Sequence, residues 1–135
     1  EFLGFVTPSD FYRAIDVLVV PSIWEDPLPT VILEAQTAGK PSIGSTRGGI
    51  AEAIGGDSAG WIYDPSVDGA LVKLLDQVAA DPAAIMQKSR AAFESARRFR
   101  AEPVVEQYCR AYAASLGRAT AEATENDKSA IMKER

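Results

Sequence analysis

The sequence predicts an α/β fold: a parallel sheet with helices on both faces, followed by C-terminal helices. Three observations predict it. Val17-Leu18-Val19-Val20, led by Asp16 and closed by Pro21, is a continuous apolar run, as expected of a strand covered on both faces. From there to Tyr63, strand-length and helix-length apolar segments alternate, the rhythm of strand–helix–strand units. Beyond Tyr63 the apolar residues recur at helical spacing only.

A short apolar strand is expected at about residues 2–6, ending at Thr7-Pro8, with Ser9 as N-cap of a helix over roughly 10–15. After the strand at 16–20, a helix at about 28–38 should stop at Gly39, a residue suited to the left-handed position past a helix end. Ser42-Ile43-Gly44-Ser45 is the next strand. Arg47-Gly48-Gly49 then leads into a helix at about 50–54, broken by Gly55-Gly56, and Gly60-Trp61-Ile62-Tyr63 is the last strand. Val67, Leu71, Leu74, Leu75 and Val78 form one helical stripe; Ile85, Met86, Ser89, Ala92, Phe93 and Ala96 form another, with Asp81-Pro82 between them. A further helix at about 103–115 carries Val104, Val105, Tyr108, Ala111 and Tyr112. From 116 on, Ala, Thr, Glu and Lys dominate, and a frayed tail is expected.

Composition excludes several classes. The chain has 135 residues, 47% apolar and 24% charged, which suits one ordinary core. Its net charge of −5 and the absence of a basic tract argue against nucleic acid; Arg97, Arg98 and Arg100 read as the solvated end of a helix. Cys109 is the single cysteine, so there is no disulfide framework, and its spacing with Val105, Tyr108 and Tyr112 places it in a helix core. With no histidine, these residues hold no Ser-His-Asp or Cys-His site and no histidine-type metal site. No signal peptide and no run long enough to span a bilayer is present. Glu1 stands where a methionine would start a chain, and the expectation is the later part of a longer protein.

The most informative position is Glu34, an acid among Val31, Ile32, Leu33 and Ala35, all of which favour burial. In open parallel sheets, ligands sit beyond the carboxyl ends of the strands, where the loop Ser22–Pro29 is expected. The start of the following helix offers unpaired amides and partial positive charge to a phosphate or diphosphate. The donors are the Leu28, Thr30 and Val31 amides and the Thr30 hydroxyl; Pro27 and Pro29 have no N–H. Thr30 and Glu34, four apart, share a helix face at about 6 Å along the axis. A diphosphate at the helix start therefore leaves a ribose near Glu34, whose two oxygens suit a cis-diol. Glu25 and Asp26, in the loop, face the sugar end. The alternative is a structural Glu34, satisfied by backbone or by Arg47. Trp24 is read as pocket lining or core, Gly48-Gly49 as a close approach to ligand or a turn, Glu52 as a cap or a solvated acid, and Trp61 as core.

Pro21-Ser22-x-Trp24-Glu25-Asp26-Pro27-Leu28-Pro29-Thr30-Val31-Ile32-Leu33-Glu34-Ala35-x-x-Ala38-Gly39-Lys40-Pro41 resembles the signature of family 4 retaining glycosyltransferases (glycosyl transferases group 1) of the GT-B fold. Phe2-Leu3-Gly4, Arg47-Gly48-Gly49-Ile50-x-Glu52 and Gly60-Trp61-Ile62-Tyr63 agree, so the likeness covers roughly residues 2–115. It implies an incomplete C-terminal half of a GT-B fold: a partial Rossmann-like nucleotide-sugar-binding domain over 1–115, with a flexible or helical tail over 116–135.

The resemblance further implies a retaining, metal-independent transferase, without cofactor, that moves a sugar from a nucleotide-diphospho sugar to an acceptor. Asp26 and Glu34 are then the acids of the catalytic site. Asp26 holds donor-sugar hydroxyls and Glu34 the ribose diol, with the backbone of Leu28, Thr30 and Val31 on sugar and diphosphate. This sequence departs from the family pattern in two ways. The first acid is usually Glu, so Asp26 reaches one methylene less, and Glu25 is open as its replacement. Pro27-Leu28-Pro29 stands where the family has Gly-aromatic-Gly. The basic pair that stabilises the leaving diphosphate, the nucleobase pocket and the acceptor-binding domain are expected upstream of Glu1, so the chain alone should be inactive. The expected partners are the nucleotide sugar and that N-terminal domain, through which a membrane-associated acceptor is also open. The expected location is the cytoplasm, including the cytoplasmic face of the membrane. The competing class is a non-catalytic binding or scaffolding module, favoured by Pro27 and Pro29.

Overall fold

In the computed structural model, which describes residues 2 and 4–116, the chain divides into a unit over residues 1–97 and a second unit from Arg98 onward. The first contains α1 (Pro8–Ala14), β1 (Leu18–Val20), α2 (Thr30–Thr37), β2 (Ser42–Ser45), α3 (Ile50–Ile54), β3 (Gly60–Tyr63), α4 (Ala70–Ala79) and α5 (Pro82–Ser95); a 3₁₀ turn over Ala96–Phe99 runs across the division at residues 97 and 98. The strands lie in the order β1-β2-β3, all parallel, with Leu18 opposite Ser42 and Ser42 opposite Gly60.

Successive residues of a strand point to opposite faces, and the core divides accordingly. Leu18, Val20 and Ile62 join Tyr12, Ile32, Ala35, Ile50, Ala53 and Ile54 from α1, α2 and α3. Val17, Ile43, Trp61 and Tyr63 instead pack with Leu71, Leu74 and Val78 of α4 and Ile85 of α5. Helices pack on both faces of the sheet, but β1 lies at its edge and Val19 is exposed there, so the apolar run of β1 is covered only in part. Gln36 is a polar residue of the interior, as Ser42 and Ser45 are: fully buried on α2, it donates from Nε2 to the carbonyls of Ala53 (3.0 Å) and Ile54 (2.8 Å) at the end of α3.

Helix ends follow local chemistry. Past α2, Gly39 takes a left-handed φ of 69°, the Gly39 amide donates to Gln36 O and the Lys40 amide to Ala35 O, closing the helix with the paired bonds of a glycine-ended terminus. Asp81 Oδ1 accepts from the Ala84 amide at 2.9 Å, with Pro82 in the first turn of α5 as expected.

Several expectations are corrected. No strand forms among the described residues of 2–6, and Phe2 and Phe5 are exposed; a strand needs a hydrogen-bonded neighbour, and β1 pairs only with β2. The cap residue of α1 is Thr7, not Ser9, with Pro8 in the first turn and the Thr7 hydroxyl donating to Asp10 Oδ2 at 2.6 Å. Val67, expected in the first stripe, lies exposed before the start of α4, and the stripes of α4 and α5 are wider than the surface they cover, so Leu75, Met86 and Phe93 lie exposed.

In the second unit, α6 (Ala101–Ser115) begins two residues before the expected 103, and its exposed face carries an Arg110–Glu106 ion pair at 2.5 Å. α6 buries none of its residues, so Cys109 is a free, exposed thiol and not a core residue. The expected tail lies, from 117 on, outside the described residues. Among the described residues no helix is long and apolar enough to cross a membrane.

Candidate functional site

Two loops leave the carboxyl edge of the sheet: residues 21–29, between β1 and α2, and residues 46–49, between β2 and α3. They are bonded to each other. The Gly49 amide donates to Asp26 O at 2.8 Å, the Gly48 amide to Glu25 Oε2 at 2.8 Å, and the Ser45 hydroxyl to Ser22 O at 2.6 Å. Arg47 Nη1 lies 3.7 Å from Glu25 Oε1. A β-carbon on Gly49 would stand 1.9 Å from Pro27 O, and one on Gly48, at φ 52°, 2.3 Å from Asp26 O. Gly48-Gly49 therefore serves a close approach of backbone to backbone, with the first loop as the neighbour.

These bonds separate the two candidate acids of that loop. Both Glu25 oxygens are engaged, one by the Gly48 amide and one by Arg47. Half-buried Asp26 uses Oδ1 to accept from the Leu28 amide at 3.0 Å, a local turn that Asp forms readily, and keeps Oδ2 without a protein partner among the described residues. The Leu28 amide is thus spent within the loop. The Thr30 and Val31 amides open α2, where no preceding turn supplies acceptors, and Pro29, the residue at the cap, gives no side-chain bond. Thr30, Val31 and Leu28 are all exposed at this end.

Glu34 is exposed, contrary to the reading of its apolar neighbours. The helical period explains the outcome: Ile32, Ala35 and Gln36 share the inward face, leaving Val31 and Glu34 outward. Its partner is neither Arg47 nor backbone. Tyr12, buried on α1, places its hydroxyl 3.1 Å from Glu34 Oε2 and 3.2 Å from Val31 O. Burial, then the hydrogen bond to Glu34 and that carboxylate's charge, push the Tyr12 phenol up to about 12. Tyr12 and Glu34 lie in an open groove of about 780 Å³ with Pro8, Arg13, Thr37 and Lys40.

The remaining candidates are peripheral. Trp24 is 75% exposed, so it is not core; it borders a second shallow groove with Phe11, Val19 and Val31 beside β1. Glu52 is exposed. Trp61 packs against the α4–α5 face as expected, beneath Lys88 Nζ at 4.9 Å from the ring centre. Asp64, just past β3, is made more acidic by bonds from the Ser66 hydroxyl and amide and, more weakly, by Arg47. Sequence reasoning missed Tyr12. The available signal was a tyrosine on the buried side of a short helix, whose hydroxyl needs a polar partner.

The parallel half-sheet with helices on both faces, and its loops gathered at the carboxyl edge, define an α/β domain of GT-B type, the class of its structural neighbours. The chain belongs to the glycosyl transferases group 1 family, which it matches over residues 1–99. An uncharacterised glycosyltransferase of Methanocaldococcus jannaschii is 42% identical over 71 residues, 50% of this chain and 18% of that protein. The D-inositol 3-phosphate glycosyltransferase of Streptomyces avermitilis is 33% identical over 91 residues, 67% of this chain and 19% of that one. The chain thus spans about a fifth of the length of these relatives. Among solved structures, Anabaena HepE in complex with UDP superposes with a TM-score of 0.71 over 84% of this chain and 32% of its own, at 23% identity. The same protein has been solved with UDP-glucose.

Proposed function

We propose that this chain supplies the donor-binding part of a retaining glycosyltransferase that uses a nucleotide-diphospho sugar. One observation carries the reading: Glu34 stands on the exposed face of α2, one turn below a helix start whose Thr30 and Val31 amides have no intrahelical acceptor, with Asp26 in the loop just before. A diphosphate suits the helix start, where amides and the helix dipole both favour negative charge. Glu34 then accepts from the ribose hydroxyls and Asp26, through Oδ2, from a donor-sugar hydroxyl. Glu25 holds Arg47 and Gly48, which favours Asp26 over Glu25 as the first acid. Family membership and the UDP and UDP-glucose bound by HepE support a nucleotide-sugar ligand.

Departure of the diphosphate requires stabilisation of its developing charge. Arg47 is held by Glu25, so the proposal leaves that task to the rest of the whole protein and has the chain alone hold donor without completing transfer. The proposed donor site needs no metal or cofactor, and its location is the cytoplasm. A screen of nucleotide sugars with the whole protein, with product analysis, tests the reading; a product that keeps the donor's anomeric configuration is expected, and inversion would refute the retaining mechanism. A second reading, a non-catalytic nucleotide-sugar module, is favoured by Pro27 and Pro29, which remove two amides from the loop. It predicts binding without product in the same screen.

A further inference from the structure

We propose that Tyr12 is a positioning residue for Glu34, fixing the carboxylate that reads the ribose diol; this rests on the ribose assignment above. The Tyr12 hydroxyl has one proton and two acceptors within reach, Glu34 Oε2 at 3.1 Å and Val31 O at 3.2 Å. Val31 O already serves the Ala35 amide one turn on, by the helix's own bonding pattern. The carboxylate is charged and is therefore the stronger acceptor. The proton belongs to Glu34.

The two ends of this bond differ in freedom. Tyr12 is 7% exposed, packed in the core with Leu18 and Ile32 and in edge contact with the Phe11 ring at 5.2 Å. Glu34 is an exposed side chain with three rotatable bonds, which would otherwise sample many orientations above the groove. A bond from a fixed donor removes much of that freedom before ligand arrives, and preorganisation of this kind is a direct contribution to affinity. Geometry still leaves the site open: Oε1 has no partner among the described residues, and Oε2 keeps a second lone pair. The pair reaches across 22 residues from α1 to α2, so α1 helps to build the donor site although it carries no residue of the signature.

The test uses the whole protein, whichever of UDP, GDP and ADP it binds tightest, and the 2′,3′-dideoxy counterpart of that nucleotide. Tyr12→Phe keeps the ring and removes the hydroxyl. It should weaken the ribonucleotide by roughly threefold to tenfold, the cost of immobilising one long side chain at the moment of binding, while the dideoxy nucleotide changes less than twofold. Equal losses for both nucleotides would make Tyr12 a merely structural residue and overturn the proposal, as would an unchanged ribonucleotide affinity. If none of the three binds the unsubstituted protein, or if that protein does not distinguish ribo from dideoxy, the ribose assignment itself falls and the proposal with it. A thermal melt of Tyr12→Phe shows whether the variant is folded; if it is not, 3-fluorotyrosine at position 12, which keeps the hydroxyl but alters its strength as a donor, must change the affinity for the ribonucleotide more than that for the dideoxy nucleotide, and an equal change or none overturns the proposal.

Discussion

The Gly49 amide donates to the Asp26 carbonyl at 2.8 Å, joining the two loops at the carboxyl edge of the sheet. A β-carbon on Gly49 would stand 1.9 Å from the neighbouring Pro27 carbonyl oxygen, and that atom is backbone. Gly49→Ala should therefore force the loops apart. The expected cost is that of overpacking a tight contact, about 1–3 kcal/mol, read as a lower melting temperature. An alanine variant as stable as the parent, and equal to it in donor affinity, would show that the loops are not held together by this approach.

Gln36 tests the interior on the other side of α2. Its Nε2 satisfies two carbonyls at the end of α3, those of Ala53 and Ile54. Gln36→Leu is close in volume but leaves both without that donor. A loss of about 1–3 kcal/mol in denaturant unfolding is expected, the cost of buried polar groups left unmade. A neutral result would mean that water reaches the end of α3.

Tyr12 makes stability depend on alkaline pH. The folded chain raises the phenol to about 12, above the free value of about 10, so it favours the protonated form. The contribution is complete below about pH 10 and is lost as pH rises toward 12, because the unfolded chain ionises first. The difference in unfolding free energy between the parent and Tyr12→Phe should shrink across that window, by an amount on the order of 2 kcal/mol. A difference that stays constant from pH 9 to 12 would contradict the assignment.

Asp26→Asn separates the two oxygens of that side chain. The amide keeps an acceptor for the Leu28 N–H, now 3.0 Å from Oδ1, and removes the negative charge. In the whole protein it should weaken binding of the nucleotide sugar more than that of the free nucleoside diphosphate. Equal losses, measured by calorimetry, would move Asp26 away from the sugar.

What the sequence disclosed followed from how local each signal is. β2, α3 and β3 begin and end where their residues place them, because the Gly39 and Gly55 terminators and the short apolar runs act within a few residues. The strand expected at 2–6 depends on a neighbour, and apolar content alone does not supply one. Glu34 lies exposed although its neighbours are apolar, because those neighbours divide between two faces: Ile32 and Ala35 turn inward and Val31 outward. The Tyr12–Glu34 bond joins residues 22 apart on separate helices, a distance that spacing arguments do not bridge. Cys109 shows the converse, since the apolar stripe of α6 signals a buried face and the described structure buries none of it.

In the proposed site, Glu34 reads the ribose of a nucleotide sugar. Calorimetry of the whole protein against the donor found by the screen, with and without Glu34→Ala, tests it most directly. A loss of roughly 1.5–3 kcal/mol is expected, the range for hydrogen bonds to a charged group. An unchanged affinity would contradict it.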